Sequence, residues 1–153
     1  TIACAVQALN VYYLPDLIQW KLEQGFRKIN MWPFGAGGIS QHFVYWPAHL
    51  NVKVLPEWFK KECRRKYEAW YPWWEANWEL GIPSWRKGKV EYEQWRSAEY
   101  GIKRLNGILS FMESEDWSRR LPEMKEFLSL CDQQRGVLFA ETFPEMKDIF
   151  NEL

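Results

Sequence analysis

Apolar and polar positions change rhythm three times along this chain. Residues 1–10, TIACAVQALN, alternate like a strand: Ile2, Cys4 and Val6 share one face, and Ala3, Ala5 and Gln7 share the other. The apolar face suits packing under helices. The face of small residues ending in Gln7 suits a barrel interior, although a strand buried on both sides accounts for the same run. LPDLIQWKLEQGF then sets Leu14, Leu17, Ile18 and Leu22 at spacings of three and four, with Phe26 extending the stripe. That spacing predicts a core-facing helix. Pro15 fits its first position, Asp16 its positive end, and Gly25 its terminator. KINMWPF, residues 28–34, reads as a second strand, pairing Asn30 with Trp32 on one face and Ile29 with Met31 on the other. Strand, crossover helix and strand make half of a parallel sheet, which cannot bury its own faces. The chain is therefore expected to be the C-terminal piece of a longer α/β protein.

Beyond residue 34 the helical rhythm takes over. Gly35-Ala36-Gly37-Gly38 reads as a spacer or lid loop, because no Lys-Ser/Thr follows it and HFVYW looks extended. A helix is expected from near Pro56, with Leu55, Phe59, Cys63, Tyr67 and Trp70 as its apolar stripe. WYPWWEANWELGIPSW, residues 70–85, is punctuated by Pro72, Gly81 and Pro83 and predicts a broken helix or a loop. Its indoles are expected to pin this connection to the body of the protein. The alternative is an aromatic platform for a sugar, base or peptide. Trp95, Ala98, Ile102, Leu105, Leu109 and Met112 predict the longest helix, weakened but not broken by Gly101 and Gly107. After an acidic break at Glu113, Glu115 and Asp116, Leu121, Met124, Phe127, Leu128 and Cys131 predict another. A turn over residues 132–136 precedes a last short helix burying Met146, Ile149, Phe150 and Leu153. Strands are thus confined to residues 1–54, and residues 55–153 form a helical, Trp-rich extension.

Composition narrows the functional classes. Twenty basic and twenty acidic side chains cancel, which argues against bulk attraction to nucleic acid or an anionic membrane. The basic run Lys60, Lys61, Arg64, Arg65 and Lys66 is expected to be a solvated helix face rather than a phosphate site. No run is long and apolar enough to span a bilayer. Three separated cysteines fit a reducing cytoplasm better than a disulfide framework. With His42 and His49 they offer no ligand pair at metal spacing, and no Gly-x-Ser-x-Gly is present. Asp132 and Arg135, three residues apart, are expected to pair with each other or to brace the turn that presents the last helix.

Four segments, TIACAVQALNVYYLPDLIQW, KINMW, PAHLNVKVLPEWFKKE and DQQRGVLFAETFPEM, follow one another in an order that resembles the C-terminal half of radical S-adenosylmethionine (SAM) proteins. The similarity is to the phage and bacterial type with a twitch-like C-terminal extension. It implies an α/β fold: the last two strands of a partial (β/α)6 barrel, then a mostly helical extension. It also implies that this chain is a fragment of a radical SAM enzyme, giving the adenosyl-side wall and part of the substrate cover. The three-cysteine motif for the [4Fe-4S] cluster is not in this sequence, so the resemblance assigns no catalytic residue and no metal ligand here. Cys63 and Cys131 are too few for an auxiliary cluster. By the same resemblance, Gln7 or Asn10 would donate to a ribose hydroxyl or to the SAM carboxylate. Asn30 and the backbone near Met31 would approach adenine, and Trp32 would wall the pocket. Asn10 serves equally well as a turn cap on its own chemistry. The substrate would be a peptide or small molecule. A non-catalytic, Trp-rich binding or interaction module is the alternative.

Overall fold

A computed structural model of the chain describes residues 4–25, 42–82 and 97–151. Among them are five α-helices: α1 (Leu14–Glu23), α2 (Glu57–Asn77), α3 (Ala98–Glu113), α4 (Leu121–Arg135) and the short α5 (Phe139–Thr142). Short 3-10 turns link them, among them Val11–Tyr13 before α1 and Val52–Val54 before α2. α2 packs along α3 and against α1.

The partial (β/α)6 barrel is not formed. Among the described residues, pairing between extended segments is limited to one isolated parallel bridge, Val6 with Phe43. The reason lies in Asn10. Its Oδ1 accepts from the Gln7 N–H at 2.9 Å, and its Nδ2 donates to the Ala5 carbonyl at 2.9 Å. Those are backbone groups that a neighbouring strand would have used, so the segment turns into a 3-10 helix after a single rung. The alternation itself is real. Val6 and Ala8 are fully buried, while Ala5 is exposed, but helices rather than a sheet cover the apolar face. The run KINMWPF and the glycine loop after it lie outside the described residues, as do Pro83, Trp85 and Trp95.

α1 follows its pattern: Leu14, Ile18 and Leu22 are buried, Pro15 sits in the first turn, and Gly25 ends it at φ +59°. The stripe of α2 is also as its spacing predicts, with Phe59, Cys63, Tyr67, Trp70 and Trp74 on the core. Within residues 70–85, expected to be a broken helix or a loop, Pro72 does not interrupt α2, which runs to Asn77 and then gives way to a 3-10 turn over Trp78–Gly81. Pro72 and Glu68, one turn earlier, are both exposed, so the carbonyl left without its N–H partner faces solvent. Buried Trp70 and Trp74 hold the helix on either side, their rings stacked at 5.9 Å. Among the described residues of this stretch, Trp70 and Trp74 serve packing.

α3 begins at Ser97, whose Oγ accepts from the Tyr100 N–H at 3.0 Å. Gly101 has a purpose that propensity alone does not reveal. A Cβ placed there would lie 2.4 Å from the Trp74 ring, so glycine is what lets the indole lie against α3. The Trp74 Nε1–H donates to the Ala98 carbonyl in the same contact, at 2.9 Å. One core joins Val6 and Leu14 to Phe59, Leu109, Met124 and Met146, drawing on both sides of residue 54.

Two glycines on α3 should therefore respond oppositely to alanine. Gly101→Ala forces the indole aside and should cost about 1–3 kcal/mol, as overpacking does. Gly107→Ala, on the exposed face, should stabilise by up to about 1 kcal/mol through helix propensity. Urea midpoints at constant slope measure both.

Candidate functional site

The C-terminal half of α4 leans on the N-terminal segment without filling the space between them. A cavity of about 430 Å³ opens there, lined by Gln7, Leu9 and Leu50 on one side. Phe127, Leu128, Cys131, Asp132 and Arg135 of α4 form the second wall, and Val137, Phe139, Thr142 and Phe143 close it. This size lies within the usual range for small-molecule sites, about 300–1,000 Å³.

Each wall has a local cause. The Leu50 carbonyl accepts from the Ala8 N–H at 2.9 Å, which binds the turn at 48–50 to the N-terminal segment. The His49 ring lies 5.1 Å from that of Phe127 and braces the same turn against α4. α4 ends on Gly136, which takes φ +65° and donates its N–H to the Asp132 carbonyl at 2.9 Å. The chain then reverses, and the Asp132 Oδ2 accepts from the Phe139 N–H at 3.0 Å. Phe139 and Phe143 lie 5.5 Å apart, and Phe143 rests 5.8 Å from Tyr13. The Tyr13 hydroxyl donates to Glu145 Oε2 at 2.5 Å. Burial and the adjacent Glu145 push this hydroxyl well above its ordinary range, and the hydrogen bond from Tyr13 holds the Glu145 carboxyl below its own.

Of the two roles expected for Asp132 and Arg135, the structure takes the second. Asp132 braces the turn that presents the last segment, and no ion pair joins it to Arg135. Both line the cavity. So does Gln7, which a family resemblance marked for a cofactor. Asn10, marked with it, is spent on the turn: its Nδ2 donates to Ala5 and to the Cys4 Sγ at 3.5 Å, and its Oδ1 is held by Gln7. Asn30, Met31 and Trp32 lie outside the described residues. Among the other wall residues, Thr142 and Phe143 lie in the DQQRGVLFAETFPEM segment and Leu50 in the PAHLNVKVLPEWFKKE segment, both of which carry the family resemblance, but the sequence singles out none of the three as a site residue.

Among the described residues, Lys53 and the basic run of α2 are held by neighbours. Lys53, buried, pairs with Glu115, and its ammonium lies 4.4 Å from the Phe111 ring centre and 5.3 Å from that of Trp117. Lys60, expected on a solvated face, is buried, and its Nζ donates to the Glu115 carbonyl at 2.9 Å. Lys61 pairs with Glu57, Arg64 grips Glu113 with two nitrogens, Arg65 pairs with Glu62, and Lys66 with Asp16. Each of the five basic side chains of this run thus has a hydrogen-bond or ion-pair partner. Burial pushes the Cys63 thiol up to about 12, leaving it protonated and inert. Among the described residues no group of His, Cys, Asp and Glu is placed to hold a metal ion, and no helix is long and apolar enough to cross a membrane.

No family model, curated protein or solved structure matches the chain.

Two predictions test this frame. Asn10→Ala strips partners from Gln7 and Ala5 and should lower stability by about 1–3 kcal/mol, measured by urea denaturation. The second concerns acid. A carboxyl whose folded pKa lies below its unfolded value contributes stability above the unfolded value, and that contribution vanishes as pH falls through the folded one. For Glu145 the loss begins below about pH 4.3, the ordinary glutamate value. Glu145→Gln should therefore destabilise the protein more at pH 7 than at pH 2.5. Equal destabilisation at both values would contradict the assignment.

Proposed function

We propose that this chain is a non-catalytic binding module for a small molecule, and that the cleft between α4 and the N-terminal segment is its site. The observation that carries this reading is the convergence of Gln7, Asp132 and Arg135 on one apolar-walled cavity of about 430 Å³. A few polar groups on mostly apolar walls is the usual make-up of a ligand site. Trp70 and Trp74 of the Trp-rich segment are buried against α1 and α3 and so present no open face to a ligand. The thiol of Cys131 stands beside carboxylate and guanidinium groups with no histidine among the lining residues, an arrangement suited to holding a ligand rather than to acyl transfer.

The radical SAM reading rests on two strand ends converging on an adenosyl group. Among the described residues no strand extends past one bridge, and Asn10 turns away into its own loop. It is therefore not the reading adopted for the cleft.

Nuclear magnetic resonance of the ¹⁵N-labelled full chain with 3-phenylpropionate as probe tests the proposal. Amide shifts should cluster at Gln7, Leu9, Leu50, Phe127, Leu128 and Thr142. Val137→Trp, at the exposed rim, should abolish them. Shifts scattered over the surface, or unchanged by Val137→Trp, would overturn the assignment.

A further inference from the structure

Resting on that cleft as a ligand site, we propose that its ligand is a zwitterionic α-amino acid with a large apolar side chain. The recognition follows from the charges the cavity presents and from where they sit. One acid and one base, Asp132 and Arg135, line it, and they are separated by three residues on the last turn of α4. Side chains at this spacing are neighbours on a helix surface, with about 5–6 Å between their Cβ atoms. Such a pair normally forms its own ion pair. Here it does not, because the Asp132 carboxylate is turned back to hold the Phe139 N–H at 3.0 Å. The Arg135 guanidinium is left without an ion-pair partner among the described residues.

A ligand with a single negative charge would satisfy Arg135 and then meet the Asp132 carboxylate. One with a single positive charge would do the reverse. A molecule bearing both charges on adjacent atoms answers the pair. Its carboxylate lies on the guanidinium fork, and its ammonium donates to the oxygen of Asp132 not held by Phe139. The carbonyls at the C-terminal end of α4 carry partial negative charge and favour an ammonium there as well. The Gln7 side chain, on the facing wall, has an acceptor and two donors to complete the polar end. Most of the remaining wall is apolar, with Leu9, Leu50, Leu128, Phe139 and Phe143 among its residues and Thr142 and Cys131 as exceptions, which makes an apolar group the remaining part of the ligand.

Calorimetric titration of the full chain separates these ideas with three probes of the same ring: L-phenylalanine, 3-phenylpropionate without the ammonium, and 2-phenylethylamine without the carboxylate. Phenylalanine should bind at least about tenfold more tightly than either, the value of one charge-assisted hydrogen bond. Arg135→Gln should erase its advantage over phenylethylamine. Asp132→Asn, which keeps an oxygen for the Phe139 N–H, should erase its advantage over phenylpropionate while leaving the melting temperature near that of the parent. If phenylpropionate shifts the cleft amides and phenylalanine binds no better, the amino-acid assignment is overturned and the cleft stands. If none of the three shifts those amides, both are overturned.

Discussion

Everything in this structure hangs on the polar heads of the aromatic side chains along α2. Tyr67, Trp70, Tyr71 and Trp74 bring large rings to the core, and each must find a partner for its O–H or N–H once water is excluded. The partners lie on different elements. Tyr67 donates to the Val11 carbonyl at 2.6 Å, Trp70 to Gln19 of α1 at 3.0 Å, Tyr71 to Asn106 of α3 at 2.8 Å, and Trp74 to the Ala98 carbonyl at 2.9 Å. Apolar burial alone would let neighbouring helices slide, because it has no direction. A buried donor left unpaired costs about 1–3 kcal/mol, so these four bonds set the register of α1 and α3 on α2. Gly101 completes the arrangement by removing the one side chain that would hold Trp74 away.

The cleft inherits its shape from the same stripe. Phe59 of α2 lies 5.4 Å from Tyr12, Tyr12 lies 5.1 Å from Tyr13, and Tyr13 lies 5.8 Å from Phe143 on the cavity wall. A line of rings therefore runs from the helix at the centre to the segment that closes the site. Of the basic residues of α2, Lys61, Arg64, Arg65 and Lys66 meet carboxylates on α1, α3 and α2 itself, while Lys60 is buried against a backbone carbonyl.

Helices were legible in the sequence wherever apolar spacing was regular. Most described stripe residues of α1, α2, α3 and α4 lie on or against the core, while Phe26 and Trp95 fall outside the described residues. Strands were misread because alternation is a property of one segment, whereas a sheet needs a partner. The alternation of Cys4, Val6 and Ala8 is present, yet a single asparagine supplies the bonds that the partner would have made. Pro72 was misread because its effect depends on which side of the helix it faces, and that is decided by Trp70 and Trp74. At the cleft, Asp132 and Arg135 were visible by spacing and Gln7 through a family likeness. Leu50 and Phe143 come from distant parts of the chain, and only the fold brings them together.

The asparagine that ends the first segment also bears on how the protein behaves among its neighbours. An extended apolar stretch with free amide and carbonyl groups is a template for other chains, and proteins commonly blunt such edges with charge, proline or a bulge. Here the Ala5 carbonyl and the Gln7 amide are already claimed by Asn10, and the Val6 amide and carbonyl by residues 42 and 44. A second molecule approaching this stretch finds no row of open hydrogen-bonding groups to extend. One polar side chain thereby protects a very apolar run from self-association, without placing a charge in the core it helps to build.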